Sequence, residues 1–224
     1  MSWLTSTFSS SIGKKLLMSL TGLFLCSFLI VHLSGNFQLL KGDNGLQFNE
    51  YAKFMTTFPL IKALSYGLYA GFLLHIIDGL VLAYQNKKAR PVSYGYSKPG
   101  SSSSWASRNM AVLGTIILVF LIVHLRNFWY EMHFGSIPMD SAGNKDLYSV
   151  VSAAFSQWWY VALYVVAMAA VAYHLLHGFQ SAFQTLGLNH QKYTPAIKAI
   201  GYVFSIAVPL GFASIPIIMF IQSL

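Results

Sequence analysis

Five apolar stretches, each long enough to cross a bilayer as a helix, restrict this chain more than any other feature. A span needs about 20 residues to cover roughly 30 Å of hydrocarbon. Residues 16–40, 60–84, 109–130, 158–183 and 196–223 each meet that length. Lipid offers no water to backbone polar groups, so such stretches must be helical. The expected fold is therefore an all-α integral membrane protein with five transmembrane helices, a single domain over residues 1–224. Composition agrees, because 55% apolar and 9% charged residues leave too little polar surface for a soluble domain. In the fifth stretch, Thr194 and Pro195 suit a helix cap and first turn, and Pro209 and Pro216 are expected to kink the helix without ending it. Residues 86–104, rich in Lys, Pro, Gly and Ser, read as the one flexible linker.

Several chemistries are excluded. The single cysteine, Cys26, lies inside the first apolar run, so no disulfide, no Cys-x-x-Cys-His haem attachment and no iron–sulfur cluster can be built on this chain. No Gly-x-Gly-x-x-Gly fingerprint is present, which places flavin or nicotinamide binding on another chain. Residues 1–12 are amphipathic and lead straight into a full-length span rather than a signal-peptide pattern, so the N-terminus is expected to be retained.

Basic residues near span ends stay on the cytoplasmic side. With the N-terminus cytoplasmic, the inner segments carry Lys14, Lys15, Lys87, Lys88, Arg90, Lys98, Arg108, Lys192 and Lys198 and no acid. The outer segments balance Lys41, Lys53, Lys62, Arg126 and Lys145 against Asp43, Glu50, Glu131, Asp140 and Asp146. Five spans then put the C-terminus outside. The basic inner face sets topology and meets anionic lipid, or docks an acidic soluble partner; nucleic acid is not expected.

Four of seven histidines, His32, His75, His124 and His174, lie deep in four different spans. A single intramembrane histidine is readily explained by an interhelical hydrogen bond. Their joint placement is more informative. Each lies about 15 residues past the start of its span, or roughly 22 Å from the entry side. Spans alternate in direction, so His32 and His124 come to rest in the outer part of the membrane and His75 and His174 in the inner part. Two pairs result, separated by on the order of 15 Å. Two stacked bis-histidine haems need that arrangement, since iron takes one axial imidazole from each side of the porphyrin.

Gly67, Gly71, His75 and Gly79 share one helix face, which offers either clearance for a macrocycle or a small-residue contact with another helix. Ala170, His174, Gly178 and Ser181 form a similar face. The ring nitrogens turned away from iron are expected to find backbone carbonyls one turn earlier. His177, one turn from His174, competes with it as ligand or meets a haem propionate, while His133 and His190 fall in loops. Asp78 could steady an inner cation or accept from a histidine. Arg126 and Asn127 could neutralise a propionate or touch a quinone, and interfacial anchoring explains Arg126 equally well. Trp129, Tyr130, Trp158, Trp159 and Tyr160 read mostly as interfacial belt. Glu50, read as a loop residue, could take a quinol proton, and a solvated acid is the plainer alternative.

The deep histidine in each of the first four spans, the stretch Phe48-Asn49-Glu50-Tyr51, and the run from His174 through His177, Gly178, Ser181, Gln184, Gly187 and Asn189 to His190 resemble a known family. They are similar to the dihaem cytochrome b anchor of succinate:quinone oxidoreductases, in its single-chain five-helix bacterial form. The resemblance covers nearly the whole chain. It implies four helices bundled around two non-covalent b-type haems, the inner on His75 and His174, the outer on His32 and His124. It further implies flavoprotein and iron–sulfur subunits at the cytoplasmic face of a bacterial inner membrane, and quinone, expected to be menaquinone, as substrate near the outer haem. No group set for dicarboxylate chemistry lies on this chain. Some menaquinol-oxidising relatives carry a glutamate two residues before the fourth-span histidine; Ala172 stands here, which favours succinate oxidation. Three rivals remain at this level: the dihaem cytochrome b of a membrane hydrogenase or formate dehydrogenase, a transporter using intramembrane histidines, and a purely structural anchor whose haems only stabilise the fold.

Overall fold

The computed structural model describes residues 10–89 and 104–224; Arg90, Lys98 and most of the expected linker lie outside them. Among the described residues the architecture is all-helical. Helix α1 (Ser11–Asn36) ends in a 3₁₀ turn, Phe37–Leu40, and is followed by α2 (Leu46–Thr57) and α3 (Pro59–Lys88). After the four-residue α4 (Trp105–Arg108) come α5 (Met110–Phe134), α6 (Leu147–Phe155), α7 (Trp158–Thr185) and α8 (Thr194–Gln222). Helices α1, α3, α5, α7 and α8 are each long and apolar enough to cross a membrane, which makes the chain a multi-pass membrane protein.

The spans run slightly longer than apolarity alone indicates. Ser10 caps α1 by accepting from the Gly13 N–H at 3.0 Å, so the helix takes in Lys14 and Lys15 before the apolar run begins. At the other end of the hairpin, α3 continues through Lys87 and Lys88 into what composition assigned to the linker; cations suit a helix C-terminus. The cap of α8 is Tyr193 rather than Thr194, with Pro195 in the first turn. Pro209 and Pro216 both lie inside an uninterrupted α8, and Pro216 is fully buried.

Lateral packing defines a square. Helix α1 packs on α3 and α7, and α5 packs on α7 and α3. Helices α1 and α5 thus face each other across one diagonal, and α3 and α7 across the other. Helix α8 lies outside the square against α7 and α1, where Gly201 receives Phe179 and Gly211 receives Leu33. Only 11% of the most apolar window of α3 or α5 is buried by protein, against 39% for α7 and α8. Helix α7 is therefore the hub, while α3 and α5 keep much of their surface for other contacts.

The segments read as loops between spans one and two and between three and four contain α2 and α6, which close one end of the square. Helix α6 buries Leu147, Val151 and Phe155, spaced four apart and so on one face, with Asp146 as its cap. Asn49 on α2 joins these pieces. Fully buried, it donates to Asp146 at 2.9 Å and Asp140 at 3.2 Å and accepts from the Tyr148 N–H at 2.9 Å. Gly45, at φ +80°, enters α2 where any side chain would collide with the Tyr148 ring. Gly35, one turn beyond His32 region of α1, likewise makes room for Tyr51. The Lys145 ammonium donates to the Met132 carbonyl at 2.8 Å and so caps α5.

Candidate functional site

The four deep histidines meet as two pairs, each across a diagonal. The His32 and His124 rings lie 5.8 Å apart between centres, with planes at 90°, and His75 and His174 lie 6.2 Å apart at 68°. Neighbouring helices act as rulers for the depth between pairs. His75 touches α1 at Thr21 and Gly22: its Nδ1 is 3.2 Å from the Thr21 hydroxyl, and a Cβ on Gly22 would lie 3.4 Å from its ring. His32 follows Gly22 by ten residues, about 15 Å along the helix. Independently, His124 touches α7 at Tyr164, and His174 follows Tyr164 by ten residues, again about 15 Å.

The hydrogen bonds around the rings bear on which nitrogen is free. The Thr21 hydroxyl has the Leu17 carbonyl as an acceptor at 2.8 Å; with its hydrogen there it accepts from His75 Nδ1, the tautomer that leaves a lone pair on Nε2. His124 Nδ1 lies 3.1 Å from the Tyr164 hydroxyl. His32 Nδ1 lies 3.3 Å from the Asn36 amide nitrogen, which also donates to the His32 carbonyl. His174 Nδ1 is buried without a partner. The expectation that own-helix carbonyls would orient the rings is thus corrected: side chains on neighbouring helices do so for His75 and His124.

These residues fit a porphyrin iron. Two metal–imidazole bonds of about 2.0 Å, plus roughly 1.1 Å from nitrogen to ring centre on each side, separate the two centres by about 6 Å. Among the described residues no three His, Cys, Asp or Glu side chains gather to hold a bare ion, and each pair brings two imidazoles together. All four histidines retain partial exposure although they lie between helices. The glycine face of α3 divides between its two readings. Gly71 and Gly79 pack against Phe24 and Met18 of α1, whereas a Cβ on Gly67, or on Gly178 of α7, would meet open space.

Beyond the His32–His124 pair, α5 makes one π turn over Leu125–Trp129 directly after His124. Such turns re-aim side chains and recur at functional sites. Here the turn presents Arg126 and Asn127 to a cavity of about 380 Å³, lined also by Phe128, Glu131, Val150 and Ala154. Arg126 is 61% exposed, ion-paired with Glu131 and 4.5 Å above the Tyr130 ring. Glu50 is exposed on α2, not in a loop, and does not line this cavity; Glu131 is its carboxylate. Tyr160, read as interfacial belt, is instead 4% exposed and accepts from Asn127 at 2.8 Å. Trp158 and Trp159 are exposed, and Trp129 donates to the Tyr69 hydroxyl. His133 lies in the last turn of α5, stacked on Trp129.

Beyond the His75–His174 pair, His177 lines a cavity of about 560 Å³ with Trp105, Tyr173, Leu176 and Gln180, one turn past His174. Asp78 is buried with one carboxylate oxygen unpartnered, and Lys14, the nearby cation, donates to Gln85 instead. Reading the sequence for histidines alone missed Thr21 and Tyr164 and gave Tyr160 only an interfacial role. Depth could have found them, because each is a polar residue on a neighbouring span near the level of an intramembrane histidine. No family model, no curated protein and no solved structure matches the chain.

Proposed function

We propose that this chain is the membrane-anchoring dihaem cytochrome b subunit of a succinate:quinone oxidoreductase. It serves electron transfer between an iron–sulfur partner at the cytoplasmic face and a membrane quinone, menaquinone, at the outer face. The observation that carries this reading is the pair of facing histidines on each diagonal, with centres 5.8 and 6.2 Å apart and the two sites about 15 Å apart along the bundle. The resemblance of residues 174–190 selects the family among dihaem cytochromes.

In this reading His75 and His174 hold the inner haem and His32 and His124 the outer one, and the haems, when bound, supply one-electron carriers at two depths. Thr21 and Tyr164 keep the His75 and His124 rings oriented, with Nε2 turned to the metal. His177 lies where it can meet an inner propionate. The apolar side chains of the square exclude water around the sites. The end closed by α2 and α6 faces outward, and the Arg126–Asn127 cavity there offers a guanidinium and an amide to a quinone carbonyl. Lys14, Lys15, Lys87 and Lys88 meet the soluble flavoprotein and iron–sulfur subunits, which carry the dicarboxylate chemistry of this respiratory complex. Ala172 leaves no carboxylate in that position of α7, which favours succinate oxidation in a bacterial plasma membrane.

Purification of the intact complex, with a pyridine haemochrome assay and mass spectrometry of its subunits, tests this. Two b haems per chain and a covalent-flavin partner are expected. A colourless complex sinks the cytochrome reading and favours a transporter; a nickel or molybdenum partner moves the chain to a hydrogenase or formate dehydrogenase.

A further inference from the structure

We propose that Tyr164 is a positioning residue that sets the redox poise of the outer site through the His124 imidazole, an inference that rests on the dihaem reading above. Tyr164 belongs to α7, whereas the outer pair belongs to α1 and α5, so its contact with His124 is a tertiary one. It is 6% exposed, and its hydroxyl lies 3.1 Å from His124 Nδ1. An imidazole that gives Nε2 to a metal keeps its proton on Nδ1, so the Tyr164 oxygen accepts that hydrogen bond. Its own hydrogen is then left for the Tyr160 hydroxyl, 3.5 Å away. Tyr160 in turn accepts from the Asn127 amide at 2.8 Å, and Asn127 lines the outer cavity.

Three residues thus form a buried polar chain from the cavity to the ring of one outer histidine. Accepting from Nδ1 makes an imidazole a stronger donor to its metal and stabilises the oxidised state. The other rings lack such a chain. His75 has the Thr21 hydroxyl and the Met18 backbone, neither leading to a cavity, His174 Nδ1 has no partner, and His32 faces an amide nitrogen that cannot accept a proton. Tyr164 therefore lowers the potential of the outer site and leaves the inner one alone. The same chain lets a ligand hydrogen-bonded to Asn127 in the cavity alter that support.

The test is a redox titration of both b-type absorption bands in the purified complex carrying Tyr164→Phe, with the outer band assigned by its loss in His32→Ala. The outer midpoint should rise, giving roughly a five- to tenfold larger reduced-to-oxidised ratio at fixed potential, with tenfold equal to 59 mV for a one-electron couple. The inner midpoint should not move. Tyr160→Phe should shift the outer band in the same direction by less. An unmoved outer midpoint in Tyr164→Phe, or equal shifts of both bands, overturns the proposal. Should Tyr164→Phe lose the outer band altogether, Tyr160→Phe decides it, an unmoved midpoint there being equally fatal. A wild-type complex with no b bands defeats the dihaem reading itself and is thereby distinguishable.

Discussion

Replacing Asn49 by Leu should loosen the closed end of the bundle more than any other substitution of equal size there. Asn49 is fully buried and makes three hydrogen bonds, two to carboxylates and one from a backbone N–H. Losing the charge-assisted bond to Asp146 costs about 1.5–3 kcal/mol, and leaving the Tyr148 N–H buried and unpaired adds about 1–3 kcal/mol. The bond to Asp140 is longer, at 3.2 Å, and adds less. Leu has the same number of side-chain heavy atoms but a bulkier branch, so strain offsets part of the roughly 1 kcal/mol of apolar burial it gains, and a net loss of about 3 kcal/mol or more is expected. For a chain of this size that lowers the melting temperature by roughly 6–12 °C. Cys26 provides the assay, because it is the single cysteine and sits part-buried in α1. Its reaction with a thiol-reactive fluorophore during heating in detergent reports unfolding. Asn49→Asp should be worse than Asn49→Leu at neutral pH, since it sets a third carboxylate beside Asp140 and Asp146, and the gap should close as pH falls below about 4. A drop under 2 °C for Asn49→Leu, or Asn49→Asp matching it at neutral pH, would refute this account of the cap.

Other outcomes follow from the same geometry. Under the proposed dihaem reading, His32→Ala or His124→Ala should each remove one haem alone, and His75→Ala or His174→Ala the other; haem spectra that pair the losses differently break the diagonal assignment. The Asp140 carboxyl is held below its ordinary range, chiefly by the Asn144 backbone N–H and also by Asn49, Ala142 and the rest of the Asn144 residue. A depressed folded-state pKa stabilises above the unfolded value, near 3.9, and that contribution fades as pH falls through the folded value. Melting temperature should therefore drop as pH falls below about 4, and Asp140→Asn should flatten that dependence. Gly45→Val should destabilise by more than about 2 kcal/mol, because a positive φ and the Tyr148 ring both oppose it, and the Cys26 assay should read the change.

Much of the site could be read in the chain because it depends on distance along a helix. A rise of 1.5 Å per residue and alternating span directions place His32 with His124 and His75 with His174 at two depths, whatever the helices do sideways. The number of spans follows from the thickness of hydrocarbon in the same way. The ends were less legible, since Ser10 and Lys88 extend helices by capping and charge rather than apolarity. Helix α6 carried a signal that went unused: Asp146 as cap, then Leu147, Val151 and Phe155 on one face.

What tertiary structure alone decided is lateral. In lipid, no hydrophobic force distinguishes one apolar helix face from another, so neighbours are chosen by small-residue fits and scattered polar contacts with no period in the sequence. That choice put α1 opposite α5 and α3 opposite α7, assigned Gly71 and Gly79 to helix packing, and moved Tyr160 from the expected interface into the interior. It also brought Thr21 to His75 and Tyr164 to His124 across 54 and 40 residues of chain. Depth is a property of each helix separately, whereas the partner that orients a ring belongs to another helix and exists only once the bundle has closed.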